Sequence, residues 1–296
     1  PIYIVTFALF AYGFLNMSSF GASSFITREI EDYWTGYTIK ATGQSMYYIL
    51  MIGILFFALV GTCHFLLKII IISMNLLIVF YSFQTSTRTP LFVLLVSFAV
   101  GIILFVVNNA IKAKKILNWL IVIIVAGIFL YLLYAFDVAG IQERIANSNL
   151  AARMNSLSDS YKENDPRITT QIYVLQHLFD YPLGGCKLIL PMNEGTLTRM
   201  EYAHNLWLDT VYRVGIIPFF VLLIYTIIQI IKIFSIATSK MIDEKMKYFI
   251  IPVSVAIFVQ YSMEPIMEGI VWIFIAGSFV NGYMNQIIMQ VKKERY

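Results

Sequence analysis

Charged side chains are scarce in this chain. Asp, Glu, Lys and Arg make up 13% of its 296 residues, about half the roughly 25% of a soluble domain, so an ordinary soluble globular fold is excluded. Cysteine is scarcer still. Cys63 and Cys186 form no CxxC pair, which leaves neither a disulfide framework nor a thiolate metal site in view. The histidines, His64, His177 and His204, lack metal-ligand spacing, and zinc is not expected. No basic segment precedes the first apolar run, so no cleavable signal peptide is read. The chain opens on Pro1 rather than Met, and further helices are expected ahead of it.

What the chain has in abundance is apolar sequence. Hydrophobic residues reach 59% and mean hydropathy is +0.76, and the apolar residues fall in runs near the 20 or so that cross a bilayer as a helix. The expected class is all-α: a polytopic transmembrane helix bundle of about eight spans forming a single membrane domain over 1–296. The spans are read at Ile2–Phe20, Met46–Val60, Phe65–Phe83, Pro90–Val107, Ile116–Phe136, Val214–Phe234, Tyr248–Ser262 and Ile266–Met289. The second and third merge into a stretch too long for one crossing, so a turn is placed near Gly61–His64.

Basic residues orient the bundle. One side would carry Lys68, Lys112, Lys114, Lys115, Lys232, Lys240, Lys245, Lys247, Lys292, Lys293 and Arg295 against Asp243, Glu244 and Glu294. The other would carry the remaining ten basic and fourteen acidic residues. The first side is read as cytoplasmic, with both chain ends inside. The net charge of +4 hides this asymmetry and gives no ground for a nucleic-acid partner.

Three features then fall together outside: the turn holding Arg88, the polar segment 137–212, and the turn from Glu264 to Glu268. Connections between helices are usually short, so an insert of this length calls for a purpose. Within it, Ile141, Ile145, Leu150, Met154 and Leu157 approximate one helical face, and Ile168, Ile172, Leu175 and Phe179 do so more clearly. Asp165 and Pro166 make a cap and first position for the second helix. Both helices are amphipathic and suit a membrane surface. Asp180-Tyr-Pro-Leu-Gly-Gly is a turn signal that would fold the chain back over the bundle.

Several side chains could carry chemistry. Arg88 lies in Ser-Thr-Arg-Thr-Pro between two spans. It is either an interfacial arginine binding headgroups or a phosphate fork, and an unpaired arginine in a span costs about 2.5–3.5 kcal/mol. Arg167 opens the second amphipathic helix as a solvated residue or a ligand. Arg199 and Arg213 are weaker candidates, and Arg213 has Asp209 four residues before it. His204 stands where the polar segment gives way to a hydrophobic helix, so His204-Asn205 is either cap chemistry or a placed proton acceptor. Tyr202 is a neighbour. Glu264 and Glu268 suit a helix start by dipole, or serve as partners for an arginine or as orienters of His204.

Taken in order, Arg88 after a span, Arg167 through Gly185, and Ala203-His204-Asn205 before a helix with Gly215 resemble the bacterial O-antigen ligase and polymerase superfamily. The resemblance runs from about Met46 to Met289. The chain departs in having fewer spans and in Gly-Gly-Cys where a Gly-x-Gly is more usual. The resemblance implies a C-type glycosyltransferase fold in the bacterial inner membrane, with the site on the extracytoplasmic side. It implies transfer of an oligosaccharide from undecaprenyl diphosphate to a glycan acceptor, with inversion and no covalent intermediate. The roles implied are His204 as base and Arg88, Arg167 and Arg199 as diphosphate ligands, with Tyr202, Asn205, Glu264 and Glu268 in support. A chain-length regulator or flippase is an implied partner. The absence of an Asp-x-Asp motif agrees with a lipid-linked donor, no metal and no cofactor. A polymerase is expected ahead of a ligase, because the spans are rich in Ile and Phe and the motif is sparse. A non-catalytic transporter of the same lipid-linked sugars is the reading from another class; mid-span positions nearly free of charge speak against it.

Overall fold

A computed structural model describes residues 2–18, 29–61, 64–85, 87–108, 135–137, 141–146, 166–191, 197–200, 202–264 and 269–294. These fall into two compact units, Pro1–Asp159 and Ser160–Tyr296, whose boundary lies inside the long polar segment.

The first unit begins with α1 (Ile2–Ser18), followed by a hairpin of β1 (Glu29–Glu31) and β2 (Thr38–Lys40), antiparallel with Ile30 opposite Ile39. A short helix α2 (Ala41–Gln44) and a 3-10 turn (Ser45–Tyr48) lead into α3 (Ile49–Val60). Then come α4 (Phe65–Thr85) and α5 (Thr89–Asn108), and further on α6 (Ile141–Ala146). Helix α3 is apolar on nearly every face and accordingly buried: Ile49, Met51, Ile52, Ile54 and Phe56 form the core between α4 and α5. Asn75 of α4 donates to Met51 O of α3 (3.2 Å) and to Ile71 O (2.9 Å), satisfying an amide that apolar surroundings would otherwise penalise. The expected turn at Gly61–His64 is where α3 gives way to α4. Lys68 Nζ closes it by donating to Leu59 O at 3.1 Å.

The second unit holds α7 (Pro166–Gln176), β3 (Leu188–Pro191) and β4 (Leu197–Met200) paired as a hairpin, α8 (Leu206–Val214), α9 (Ile216–Thr238), α10 (Glu244–Met263) and α11 (Gly269–Glu294). Helix α10 is its enclosed member, 67% of its span buried against 28% for α9. Pro252 lies within it, and Tyr248, Ile251, Ala256, Ile257 and Tyr261 are its core residues. Near the ordered polar end, Val174, Leu188, Ala203, Leu208, Val211, Tyr212 and Phe219 make a second apolar cluster that ties α7, the hairpin, α8 and α9 together.

The protein is mainly helical, and four of its described helices are long and apolar enough to cross a membrane: Phe65–Phe83, Thr89–Asn108, Ile216–Thr238 and Glu244–Met263. Four, not about eight, is therefore the count among the described residues. Two of the expected spans, at the first run and at Ser45–Val60, are apolar but shorter. A third, Ile116–Phe136, lies almost wholly outside the described residues. The last forms α11, whose apolar run is interrupted by Asn281, Gly282, Asn285 and Gln286. Two hairpins of three or four residues per strand accompany the helices and leave the class unchanged.

Candidate functional site

Asn205 starts α8 as a side-chain cap. Its backbone is extended (φ −157°, ψ 120°), and Oδ1 accepts from Trp207 N at 3.1 Å and Leu208 N at 3.2 Å, two of the donors a helix start leaves open. The cap role read from the sequence is realised, and the same amide does more. Its Nδ2 donates to Ser262 O at 3.3 Å, tying the loop to the C-terminal end of α10.

His204, half-buried, precedes this cap in the left-handed region, φ +55°, which side chains other than glycine, asparagine and aspartate enter infrequently. Both flanks of the residue are held. Gln171 Nε2 of α7 donates to His204 O at 3.3 Å. On the other side Ala203 N donates to Asp209 Oδ1 at 2.7 Å, and Tyr212 Oη donates to the same oxygen at 2.8 Å. Asp209 is fully buried. Burial pushes its carboxyl up from the ordinary range, against the opposing pull of the Ala203 N–H, the Tyr212 hydroxyl and Arg213. Burial also raises the Tyr212 phenol, and the charge of Asp209 adds to it. Asp209 Oδ2 is buried with no hydrogen-bond partner.

Arg213 lies with Cζ 4.7 Å from the Tyr202 ring centre and 5.8 Å from that of Tyr212, within cation–π range. The pairing anticipated from the i−4 spacing is thus divided: Asp209 takes the loop's backbone, and the guanidinium takes two tyrosine faces. Tyr202 belongs to the His204 loop through this contact.

The Pro-Leu-Gly-Gly turn is built onto the α8–α9 junction. Gly185 N donates to Arg213 O (2.8 Å), Cys186 N to Tyr212 O (2.9 Å) and Ile216 N to Pro182 O (3.4 Å). Gly184 (φ +70°) packs so closely that a Cβ on it would stand 2.3 Å from Val214 C, and a Cβ on Gly215 (φ +114°) would stand 2.9 Å from Pro182 O. Only glycine meets both demands, positive φ and backbone against backbone. The turn therefore does fold the chain back, and Gly-Gly-Cys suits it because the first glycine makes the contact while the second faces open space.

Helix α7 begins at Pro166, as expected, while Asp165 lies outside the described residues. Thr170 and Val174 face inward. Ile168, Ile172, Leu175 and Phe179, the stripe recognised by its spacing, are exposed, which is how an in-plane interfacial helix meets a bilayer. In the first amphipathic segment α6 covers Ile141 to Ala146, and Leu150, Met154 and Leu157 lie outside the described residues.

The remaining candidates are dispersed. Arg88, half-buried, belongs to the first unit, in the turn after α4; its carbonyl accepts from Phe92 N at 3.0 Å and begins α5. The turn is braced by Thr87 N donating to Ser82 O (3.0 Å) and by the Thr85 and Thr87 hydroxyls 2.8 Å apart. Arg167 is the second residue of α7. Arg199 stands opposite Ile189 in the hairpin that leads into the His204 loop. Glu264 corrects the reading from sequence: it is the C-cap of α10, its N–H donating to Gln260 O at 3.0 Å, and it is buried. The dipole at a helix C-terminus opposes a carboxylate, so helix-start stabilisation does not account for it. Asn205 binds two residues away, at Ser262. Glu268 lies outside the described residues.

Asp209 and Gln171 were missed as site residues. Asp209 left a trace, a lone acid three positions after Leu206 on the otherwise apolar side of a short helix. Gln171 left none. Among the described residues no three His, Cys, Asp or Glu side chains gather as a metal site. No family model matches the chain, and no curated protein or solved structure shows significant similarity to it.

Proposed function

We propose that this chain is a membrane glycosyltransferase that polymerises undecaprenyl-diphosphate-linked oligosaccharide units into a surface polysaccharide by inverting transfer, with His204 as base. The larger architecture proposed with it is the eight-span, C-type bundle facing the extracytoplasmic side of a bacterial inner membrane. The observation that carries the reading is the hold on His204. The backbone around half-buried His204, at φ +55°, is held on both sides: its carbonyl accepts from the Gln171 amide, and the N–H of Ala203 before it donates to buried Asp209. A cap alone requires only Asn205; the clamp on its neighbour goes beyond what capping needs.

In the proposed reaction the acceptor hydroxyl oxygen attacks the anomeric carbon from the face opposite the diphosphate. The bond to the diphosphate oxygen breaks with its electron pair, and the hydroxyl proton passes to neutral His204. Such base catalysis contributes about 10²–10⁴-fold. Within the unit that holds His204, the leaving charge is assigned to Arg167 and Arg199. Support for Arg167 is electrostatic: it stands at a helix N-terminus, where the macrodipole disfavours a cation and favours an anion. Each charged hydrogen bond to the donor contributes about 1.5–3 kcal/mol. Asn205 and Tyr202 hold the loop, and Glu264 and Glu268 complete the support.

The test is a turnover assay with purified protein and a lipid-linked repeat unit, run with and without a separate acceptor. Ladders without the acceptor are the expected outcome. Single transfer to the acceptor would instead identify the ligase, and donor translocation without product a transporter. His204→Gln should lose about 10²–10⁴-fold in turnover while still binding donor, because glutamine keeps a hydrogen bond and cannot act as a base. Turnover should also fall once pH is low enough to protonate the imidazole, since only the neutral ring accepts a proton. Near-normal turnover in the Gln variant would return His204 to a capping role.

A further inference from the structure

Among the described residues of the first unit, the turn between β1 and β2 is densely hydrogen-bonded. Asp32 Oδ1 accepts from Trp34 N (3.0 Å), Thr35 N (2.8 Å) and Thr35 Oγ1 (2.9 Å), while Oδ2 accepts from Tyr12 Oη and Asn16 Nδ2, both at 2.9 Å. Asn16 Oδ1 accepts from Tyr33 N at 2.9 Å, and Asp32 N donates to Tyr37 O at 2.8 Å. A turn held by this many bonds, yet displaying Tyr33, Trp34 and Tyr37 at 60%, 55% and 76% exposure, spends its rigidity on three rings that pack little of the unit. Trp34 lies flat on Tyr12, centroids 5.6 Å apart and planes 11° apart, and Tyr33 stands edge-on to it at 5.3 Å and 81°. The two rings form a floor and a wall.

We propose that this corner is a carbohydrate-binding platform. The axial C–H bonds of a pyranose are weakly positive and match the negative face of an indole or phenol ring, so a sugar lies on Trp34 with its edge against Tyr33. Exposed Glu31 and Tyr37 accept from and donate to its hydroxyls. The exposed surface of the same unit's spans shows what a lipid contact looks like here: Leu66, Ile69, Leu76, Leu95, Ile103 and Val107, with Phe65, Phe80 and Phe92 among them and no exposed tyrosine or tryptophan among the described residues of these spans. Residues 31–38 contain no aliphatic side chain and expose the Glu31 carboxylate, which hydrocarbon penalises. The same carboxylate repels the phosphates of a stacked nucleic acid. Flat amphipathic rings beside acceptors suit a neutral polyol. The ligand class agrees with the proposed function, but the platform rests on no role for His204 and stands if the transfer chemistry fails.

The full chain in lipid nanodiscs, titrated calorimetrically with maltotetraose, cellotetraose and chitotetraose, tests it. At least one should bind saturably. Trp34→Ala should weaken that binding about tenfold, Trp34→Phe should keep most of it, and His204→Gln should leave it unchanged. No binding by any of the three sugars overturns the proposal, as does equal binding by Trp34→Ala. Should the alanine variant not fold, fluorescence decides. The emission lost in Trp34→Phe should be insensitive to brominated lipid; strong quenching unaffected by sugar makes Trp34 a membrane-interface anchor and overturns the platform.

Discussion

Two loops in this protein are each organised by a buried aspartate, and the two carboxylates answer burial in opposite ways. Burial works to raise Asp32, but its bonds from Thr35, Tyr12 and Asn16 outweigh it and hold the carboxyl down to about 2. Asp209 has fewer donors, chiefly the Ala203 N–H and the Tyr212 hydroxyl on a single oxygen, and burial wins. Donors and depth of burial together set the sign: a carboxylate with both oxygens saturated stays charged, and a more deeply buried one with an oxygen left over is pushed towards its neutral form. The first arrangement makes a permanently rigid turn. The second makes a loop whose clamp depends on protonation, beside the residue proposed as base.

The broadest way to break the comparison is topological, with an all-or-none readout. The charge asymmetry of the sequence predicts that each of the two loops faces outward. A membrane-impermeant maleimide should label native Cys186, which is exposed, in intact cells. In a Cys63→Ser, Cys186→Ser background it should label Tyr37→Cys and not Ser239→Cys. Labelling of Ser239→Cys alone would put both loops inside and remove the proposed site from the donor's side.

Next in size is stability. Asp32→Ala strips the acceptor from five donors and should cost about 3 kcal/mol or more, since bonds to a charged group are each worth about 1.5–3 kcal/mol before relaxation. Asp209→Ala frees two donors and should cost about 1–3 kcal/mol, whereas Asp209→Asn keeps an Oδ1 for both and should unfold later than the alanine variant. Thermal unfolding in one detergent ranks them; equal losses for Asp32→Ala and Asp209→Ala would mean the donor count does not matter.

The smallest effect is the pH slope. Asp32, lowered in the fold, contributes stability above the ordinary carboxylate range and loses it as pH falls from about 4 through about 2. Asp209, raised in the fold, acts in reverse: its contribution is present below the ordinary range and is lost as pH rises through it. Asp32→Asn should therefore flatten the acid-side decline, and Asp209→Asn should gain on the wild type as pH rises above about 4. Matching slopes in the two variants would show that both aspartates are held alike.

Much of the helical frame was legible in the sequence because hydropathy and end signals are local. Phe65–Phe83 and the helix after Pro90 follow from runs of apolar residues, the turn at Gly61–His64 from excess length, and the starts at Pro166 and Asn205 from capping chemistry. Glu264 went to the wrong end of a helix because Pro265 marks a break without saying on which side the carboxylate packs. The stripe on α7 was visible by spacing, but a periodic pattern names a face and not what it meets. The structure turns that stripe outward and buries Thr170 and Val174 instead.

By itself, then, the sequence determined a mainly helical membrane protein, most of its helix ends, and His204 as a residue poised beside a capped helix. The tertiary structure alone decided what holds that histidine. Asp209, Gln171 and Ser262 bond the backbone of Ala203, the backbone of His204 and the side chain of Asn205 from a helix turn, another helix and a third helix end, and the Pro182–Gly184 turn meets Gly215 across some thirty intervening positions. Hydrophobic periodicity repeats along the chain and can be read from any window of it, whereas a hydrogen bond between distant residues has no period and comes into being only when packing has brought its two ends together.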